Sequence, residues 1–250
     1  MIRIISDLKP NCPRWNLSVE EAIFTGLHTQ LTPETLRIWC NDRAVVIGRS
    51  QSAQAEVALD HAAKLRIPIV RRISGGGAVY HYPGNLNYSL FLISKRRLAT
   101  VSDAFSFLGQ ALIAAMHRLD IDLQLKGNGL FVAAGRKIAG LAQARRGQTL
   151  LIHGTLLMRP DEIGMEHLLL AMGGNYLPSR VPSRPVKVTS LMTEIAFLPP
   201  VDSIAELLCE EICRQIGAVP QHAALSGDEV DHAERLLRTK YGSATWNLYR

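Results

Sequence analysis

Three stretches of the chain carry residue types that could do chemistry together. The first is RRISGGGAVYHYPGN, residues 71–85, where an arginine pair precedes a glycine triplet. Glycines in a row cost stability in a strand, because each loses more backbone freedom on folding than other residues. A bulge or a tight sheet crossing would account for them. So would a ligand: bare backbone admits close approach, and consecutive N–H groups can cradle an anion. Arg72 adds a forked cation suited to phosphate. The spacing matches neither GxxxxGK[ST] nor GxGxxG. The second stretch is GRKIAG, residues 135–140. Lys137 there reads from spacing alone as a snorkelling surface lysine. Its functional reading is a fixed cation for a carboxylate or phosphate whose charge grows in a transition state. The third is LIHGTLLM, residues 151–158, where His153 interrupts an apolar run and reads first as a hydrogen-bonded core histidine. No HExxH, no paired Cys/His metal spacing and no GxSxG occurs.

These residues need elements to position them. NLSVEEAIFTGL predicts an amphipathic helix over 16–27, with Ser18 and Glu21 as a capping box. LRIWC and AVVIGR, split by NDR, predict a hairpin, and AEVALDHAAKLRI a helix. IPIVRRIS and AVYHYPGNLNYSLFLI flank the triplet as strands with a turn at YPGN. Residues 101–121 place Val101, Ala104, Phe105, Leu108, Leu112, Ala115 and Leu119 on one helical face. LFVAAGRKIAGLAQARRGQTLLIHGTLLM reads as three strands joined at AGR and RRGQ, and MEHLLLAM as a short helix. A proline-rich connection follows, then helices over 202–217, ending at Gly217, and about 227–241. The order predicts an α+β fold: a mixed or antiparallel sheet flanked by helices, in one domain over 1–250.

Composition narrows the function classes. The chain has 250 residues, 47% hydrophobic and 20% charged, enough for a substantial core. No apolar run reaches membrane-spanning length, and MIRIISDLKP is no signal peptide. The four cysteines (12, 40, 209, 213) form no CxxC, and Cys209 and Cys213 read as core residues, so a reduced, cytoplasmic protein is expected. The net charge of +6 points to an anionic ligand or an acidic protein partner. The basic pairs Arg71–Arg72, Arg96–Arg97 and Arg145–Arg146 are scattered, without the stripe that nucleic acid would require.

The three stretches, in this order and with these gaps, resemble the lipoate–protein ligase family, part of the wider group of lipoate and biotin ligases and octanoyltransferases. The resemblance runs from NLSVEEAIF through LRIWCNDRAVVIGRSQ, RRISGGGAVYHYPGNLNYSLF, GRKIAGLAQ and HGTLL to SRPVKVTSLMTEI. It implies a lipoate/biotin ligase-like catalytic domain and two half-reactions. The lipoate (or octanoate) carboxylate attacks the α-phosphate of ATP, giving an acyl-adenylate and pyrophosphate. A lysine amine of a lipoyl-domain protein then displaces AMP. ATP with Mg2+ is implied. Arg72 matches the family's nucleotide-binding arginine. Gly75 and Gly76 lead into Gly77, Ala78, Val79 and Tyr80, which match the backbone that lines the nucleotide. Lys137 matches the lysine on the lipoyl carbonyl and phosphate, and Asn85 and His153 match polar positions of the pocket. The chain departs from the pattern at Tyr82 and Gly129, where the family often has Asp. Two carboxylates near the expected nucleotide and metal are therefore missing. The C-terminal accessory domain of many members is also expected to be absent, with a separate small subunit as one way to supply it. An octanoyl- or lipoyltransferase acting from carrier protein is the nearest rival, but its nucleophilic cysteine has no counterpart between 41 and 208. Biotin ligase ranks behind it, lacking the GRGRxxRxW-type segment. A non-catalytic lipoyl-binding homologue is a further alternative.

Overall fold

The structure, a computed structural model, describes residues 1–94, 98–173 and 176–249. Arg96 and Arg97, singled out as a basic pair, lie outside the described residues. The strands are β1 (Ile2–Asn11), β2 (Thr35–Asn41), β3 (Ala44–Ile47), β4 (Ile69–Arg71), β5 (Val79–His81), β6 (Asn85–Ile93), β7 (Leu123–Lys126), β8 (Gly129–Val132), β9 (Lys137–Arg146), β10 (Thr149–Leu157) and β11 (Pro220–His222). The helices are α1 (Pro13–His28), α2 (Ala53–Glu56), α3 (Leu59–Lys64), α4 (Val101–His117), α5 (Leu191–Glu194), α6 (Val201–Ile216), α7 (Gly227–Leu236) and α8 (Ala244–Asn247).

Among the described residues, eight strands form a mixed sheet in the order β11-β1-β2-β6-β10-β9-β8-β7, and three form a small sheet β4-β3-β5. The predicted α+β class holds. One face of the large sheet packs on α4 and α6 through alternate residues such as Leu86, Tyr88 and Leu90 of β6, with Leu150 and Ile152 of β10. Thr100 caps α4 through a capping box with Asp103. The opposite face of the large sheet carries Phe91 and Leu151 against α1. Further along that face, the same alternation places Trp39, Asn87, Ser89, His153 and Thr155 in register, Asn87 against both Trp39 and Thr155, and Ser89 against His153. The core changes there from aliphatic to polar and aromatic.

Four local expectations need correction. β2 and β3 are no hairpin, since they belong to different sheets, β2 pairing with β1 and β6, and β3 with β4 and β5. Helix α1 starts at Pro13, not at Ser18, because proline's fixed φ and missing N–H suit the first helical turn. Ser18 lies inside the helix and donates to the Arg14 carbonyl at 2.8 Å. The helix expected over AEVALDHAAKLRI breaks at Val57 into α2 and α3, because Val57 bridges to Leu169. MEHLLLAM forms two 3-10 turns, Met165–His167 and Leu170–Met172, whose Leu168 and Leu169 pack on the small sheet. Gly217 ends α6 in the left-handed conformation, as its position predicts.

Candidate active site

A cavity of about 670 Å³ opens between the small sheet, the polar part of the large sheet and the 176–190 segment. Arg72, Gly76, Gly77, Ala78, Val79 and Tyr80 line it from one side, and Lys137 and His153 from β9 and β10. Gly75 and Asn85 lie outside its lining. Asn85 turns its amide onto the Tyr80 carbonyl at 3.1 Å, so it holds the strand that carries Tyr80. The Gly75 amide reaches back to the Gln143 carbonyl at 3.4 Å.

The Arg72 guanidinium is buried and shapes the glycine loop. Its Nη2 donates to the carbonyls of Gly75 at 2.6 Å and Gly77 at 2.8 Å, its Nη1 to Val46 O at 3.2 Å, and its Nε to Ser74 Oγ at 2.9 Å. Burial lowers its pKa to about 10, with Glu20 opposing the shift. Gly76 sits at φ +89°, a conformation that favours glycine. In a trans peptide the N–H points opposite to the preceding C=O. Carbonyls drawn onto Arg72 therefore turn the N–H groups of Gly76 and Ala78 away from it. The Ala78 N–H donates to Ser183 Oγ at 2.8 Å. Those of Gly76 and Gly77 find no acceptor among the described residues.

Ser183 escaped the sequence reading. It lies in the proline-rich connection, far from the glycines in sequence, with no motif of its own. Its hydroxyl also accepts from Gln51 Nε2 at 3.1 Å, and the Glu56 carboxylate fastens the same segment by accepting from Tyr176 Oη at 2.7 Å.

Lys137 opens β9, and its backbone pairs with Lys187 O at 2.8 Å and Thr189 N at 2.9 Å. Its chain fills space left bare by Gly129 and Gly140, which oppose each other across β8 and β9. A Cβ at 129 would lie 3.1 Å from Lys137 Cε, and one at 140 would lie 3.1 Å from Nζ. At 129 the tightest neighbour of a Cβ would be Phe131 Cε2, at 2.7 Å. The ammonium has no hydrogen-bond or ion-pair partner among the described residues. Burial, then the nearby Arg72, lower its pKa. Tyr82 turns away, its hydroxyl on Arg159 O at 2.7 Å.

His153 and Glu20 connect the loop to α1. His153 Nε2 meets Ser74 Oγ at 2.6 Å and Nδ1 meets Glu20 Oε1 at 2.7 Å. Burial alone would raise the Glu20 carboxyl, but the electrostatic pull and hydrogen bond of His153, then the Ser89 bond and Arg37, outweigh it and hold it below the usual range. His81 is buried between Asn41 and Thr155, 2.9 and 3.0 Å away. Burial, with Arg72 and His153 adding, pushes its pKa down to about 3.

No aspartate, glutamate or cysteine is among the described residues lining the cavity, whereas Arg72, Lys137 and Arg184 are. No group of three or more His, Cys, Asp or Glu that could hold a metal ion occurs among them either. The donor set fits an anion and does not fit a protein-held Mg2+.

The family model of the lipoyl protein ligase A/B catalytic domain matches residues 12–213. The chain belongs to this family. Among its relatives, lipoate-protein ligase LplJ of Bacillus subtilis is 28% identical over 96% of this chain and 71% of its own length. Lipoate-protein ligase A subunit 1 of Thermoplasma acidophilum is 25% identical over 96% and 93%. A crystal structure of lipoate-protein ligase A bound with ATP superposes with a TM-score of 0.82 at 26% identity, over 98% of this chain and 97% of that one. A bi-partite lipoate protein ligase from Thermoplasma acidophilum, solved as a lipoylation system with its E2 lipoyl domain, gives 0.82 at 25%, over 98% and 94%. In this ligase family member the glycine loop and Lys137 line one cavity. No helix among the described residues is long and apolar enough to cross a membrane.

Proposed function

We propose that this protein is an ATP-dependent lipoate–protein ligase, with residues 1–250 forming one catalytic domain. The observation that carries the proposal is the convergence of the unpartnered Lys137 ammonium and the Arg72-held glycine loop on a cavity with no carboxylate in its described lining. That combination suits a negatively charged reacting centre. The acyl carboxylate oxygen attacks the α-phosphorus of ATP, the bond to the β-phosphate oxygen breaks, and pyrophosphate leaves with the electron pair. Lys137 offsets the charge that builds on the phosphoryl oxygens, in a site where burial strengthens each interaction. The open Gly76 and Gly77 amides supply further donors to the same group. A neutral lysine amine of the acceptor then attacks the acyl carbon, the bond to the phosphate oxygen breaks, and AMP departs as the new amide sheds a proton to water.

The apolar part of the cavity, from Leu17 and Val46 to Phe105 and Leu157, suits an acyl chain. We place Mg2+ on the phosphates of ATP. The absence of a cysteine from the described lining opposes an acyl-enzyme route from carrier protein. The acceptor is a lipoyl-domain protein, in line with the printed description of the Thermoplasma relative, whose two-part make-up also motivates a small accessory subunit here. Arg180, Arg184 and Lys187 are exposed on the 176–190 segment beside the mouth and make no salt bridge among the described residues, which favours an acidic acceptor face. Four free thiols, two of them only 4.0 Å apart, suit a reducing, cytoplasmic setting.

The test is exchange of labelled pyrophosphate into ATP by the purified protein. The proposal expects exchange only when lipoate or octanoate is present. No exchange with either acid, alone or with the accessory subunit, would remove the activation step.

A further inference from the structure

Glu20 lies outside the cavity lining, yet it ends a hydrogen-bond chain that reaches the glycine loop. The chain joins three elements remote in sequence: α1 through Glu20, β10 through His153, and the loop after β4 through Ser74. Donor and acceptor rules fix its direction. The Glu20 carboxylate only accepts, and it already takes the Ser89 hydroxyl at 2.7 Å, while Ser89 Oγ accepts from Trp39 Nε1 at 2.9 Å. The 2.7 Å contact to His153 Nδ1 therefore carries the imidazole N–H. Arg72 Nε only donates, so Ser74 Oγ accepts from it at 2.9 Å, and the same oxygen meets His153 Nε2 at 2.6 Å. A ring carrying its proton on Nε2 alone would set the Nδ1 lone pair against the carboxylate.

We infer that Glu20 is a positioning residue for the acyl-adenylate reaction. Through His153 and Ser74 it fixes the orientation of Arg72, and so the placement of the Gly75 and Gly77 carbonyls and the open amides between them. The inference rests on the ligase reading only in taking the acyl-phosphate group as what the loop receives.

The test uses the full chain and a lipoyl-sulfamoyl adenosine, a non-hydrolysable mimic of the acyl-adenylate, in calorimetric titration of wild type, Glu20→Gln, Ser74→Ala and the double variant. Each single change is expected to weaken binding about tenfold, and the double change also about tenfold, because both interrupt one chain. Wild-type affinity in either single variant, or a loss near a hundredfold in the double, would overturn the relay. Should a variant fail to fold, the ring nitrogens of His153 in the wild-type protein decide. A long-range proton–nitrogen NMR spectrum at neutral pH is expected to show Nδ1 carrying a proton. A ring protonated at Nε2 alone would overturn the relay. A wild-type protein that does not bind the mimic defeats the ligase reading, while the imidazole spectrum still judges the relay on its own.

Discussion

Arg72 holds the carbonyl of Gly77 at 2.8 Å, and through the trans peptide that follows, this contact aims the Ala78 N–H at Ser183. The arginine that looks in the sequence like a phosphate clamp thus first builds the backbone surface of the site. Its fork serves Gly75, Gly77, Val46 and Ser74 at once.

Arg72→Lys therefore should not behave as a conservative change. An ammonium cannot serve that fork, and buried acceptors are left unpaired at a cost of about 3 kcal/mol in total. Thermal unfolding is expected at a clearly lower temperature, with ligation reduced at least roughly tenfold. Unchanged melting with lost activity would assign Arg72 to direct ligand contact alone.

Lys137→Ala has the opposite signature. The ammonium has no protein partner, and burial already disfavours its charge. The variant should melt at or above the wild-type temperature while pyrophosphate exchange falls by roughly a hundredfold or more. Near-normal exchange would take Lys137 out of the chemistry.

Gly48→Ala tests the loop from behind. A Cβ there would sit 2.2 Å from the Gly76 carbonyl oxygen and 3.3 Å from Arg72 Nη2. The loop must shift, so the affinity for ATP, measured by titration, should fall at least roughly tenfold. Equal affinity would show that the position of Gly76 is immaterial.

Acid should loosen the core beside the cavity. His81 is held neutral with its pKa near 3, while the unfolded chain takes up a proton at about 6.5. Because the unfolded state binds more protons between these values, the contribution of His81 is full above about pH 6.5 and drains away as pH falls toward 3. Denaturant titrations at pH 7 and 5 should differ by about 2 kcal/mol from this group, and by less in His81→Gln. Glu20, whose carboxyl is held below its ordinary value, loses its contribution only at lower pH and leaves that window clear. Equal losses in wild type and variant would show that His81 is not the source.

What the sequence disclosed follows the range of the interactions. The glycine loop and helix α4 rest on local signals, a run and a 3.6-residue period, whereas Lys137, placed just after a turn, reads locally as a surface lysine and gains its site role from the family resemblance. Glu20, Ser74 and Ser183 carry no such local signal. Glu20 looks like any polar residue of an amphipathic helix until β10 brings His153 to 2.7 Å. Ser183 gains its role only when the proline-rich segment folds over Ala78. The supposed hairpin at NDR failed for a related reason. Two adjacent strands joined by a turn signal usually pair, and only the second sheet, formed with the distant β4 and β5, separates β2 from β3.

The most direct test of the account is the intact mass of a purified lipoyl domain after incubation with this protein, lipoate and Mg2+, with and without ATP. If the glycine loop and Lys137 serve acyl-adenylate chemistry, the domain gains one lipoyl group on a single lysine only with ATP, directly or once the accessory subunit is added, and AMP accumulates in equal amount. Acyl transfer from a carrier-protein thioester without ATP, or no modification with ATP and the subunit present, would contradict it.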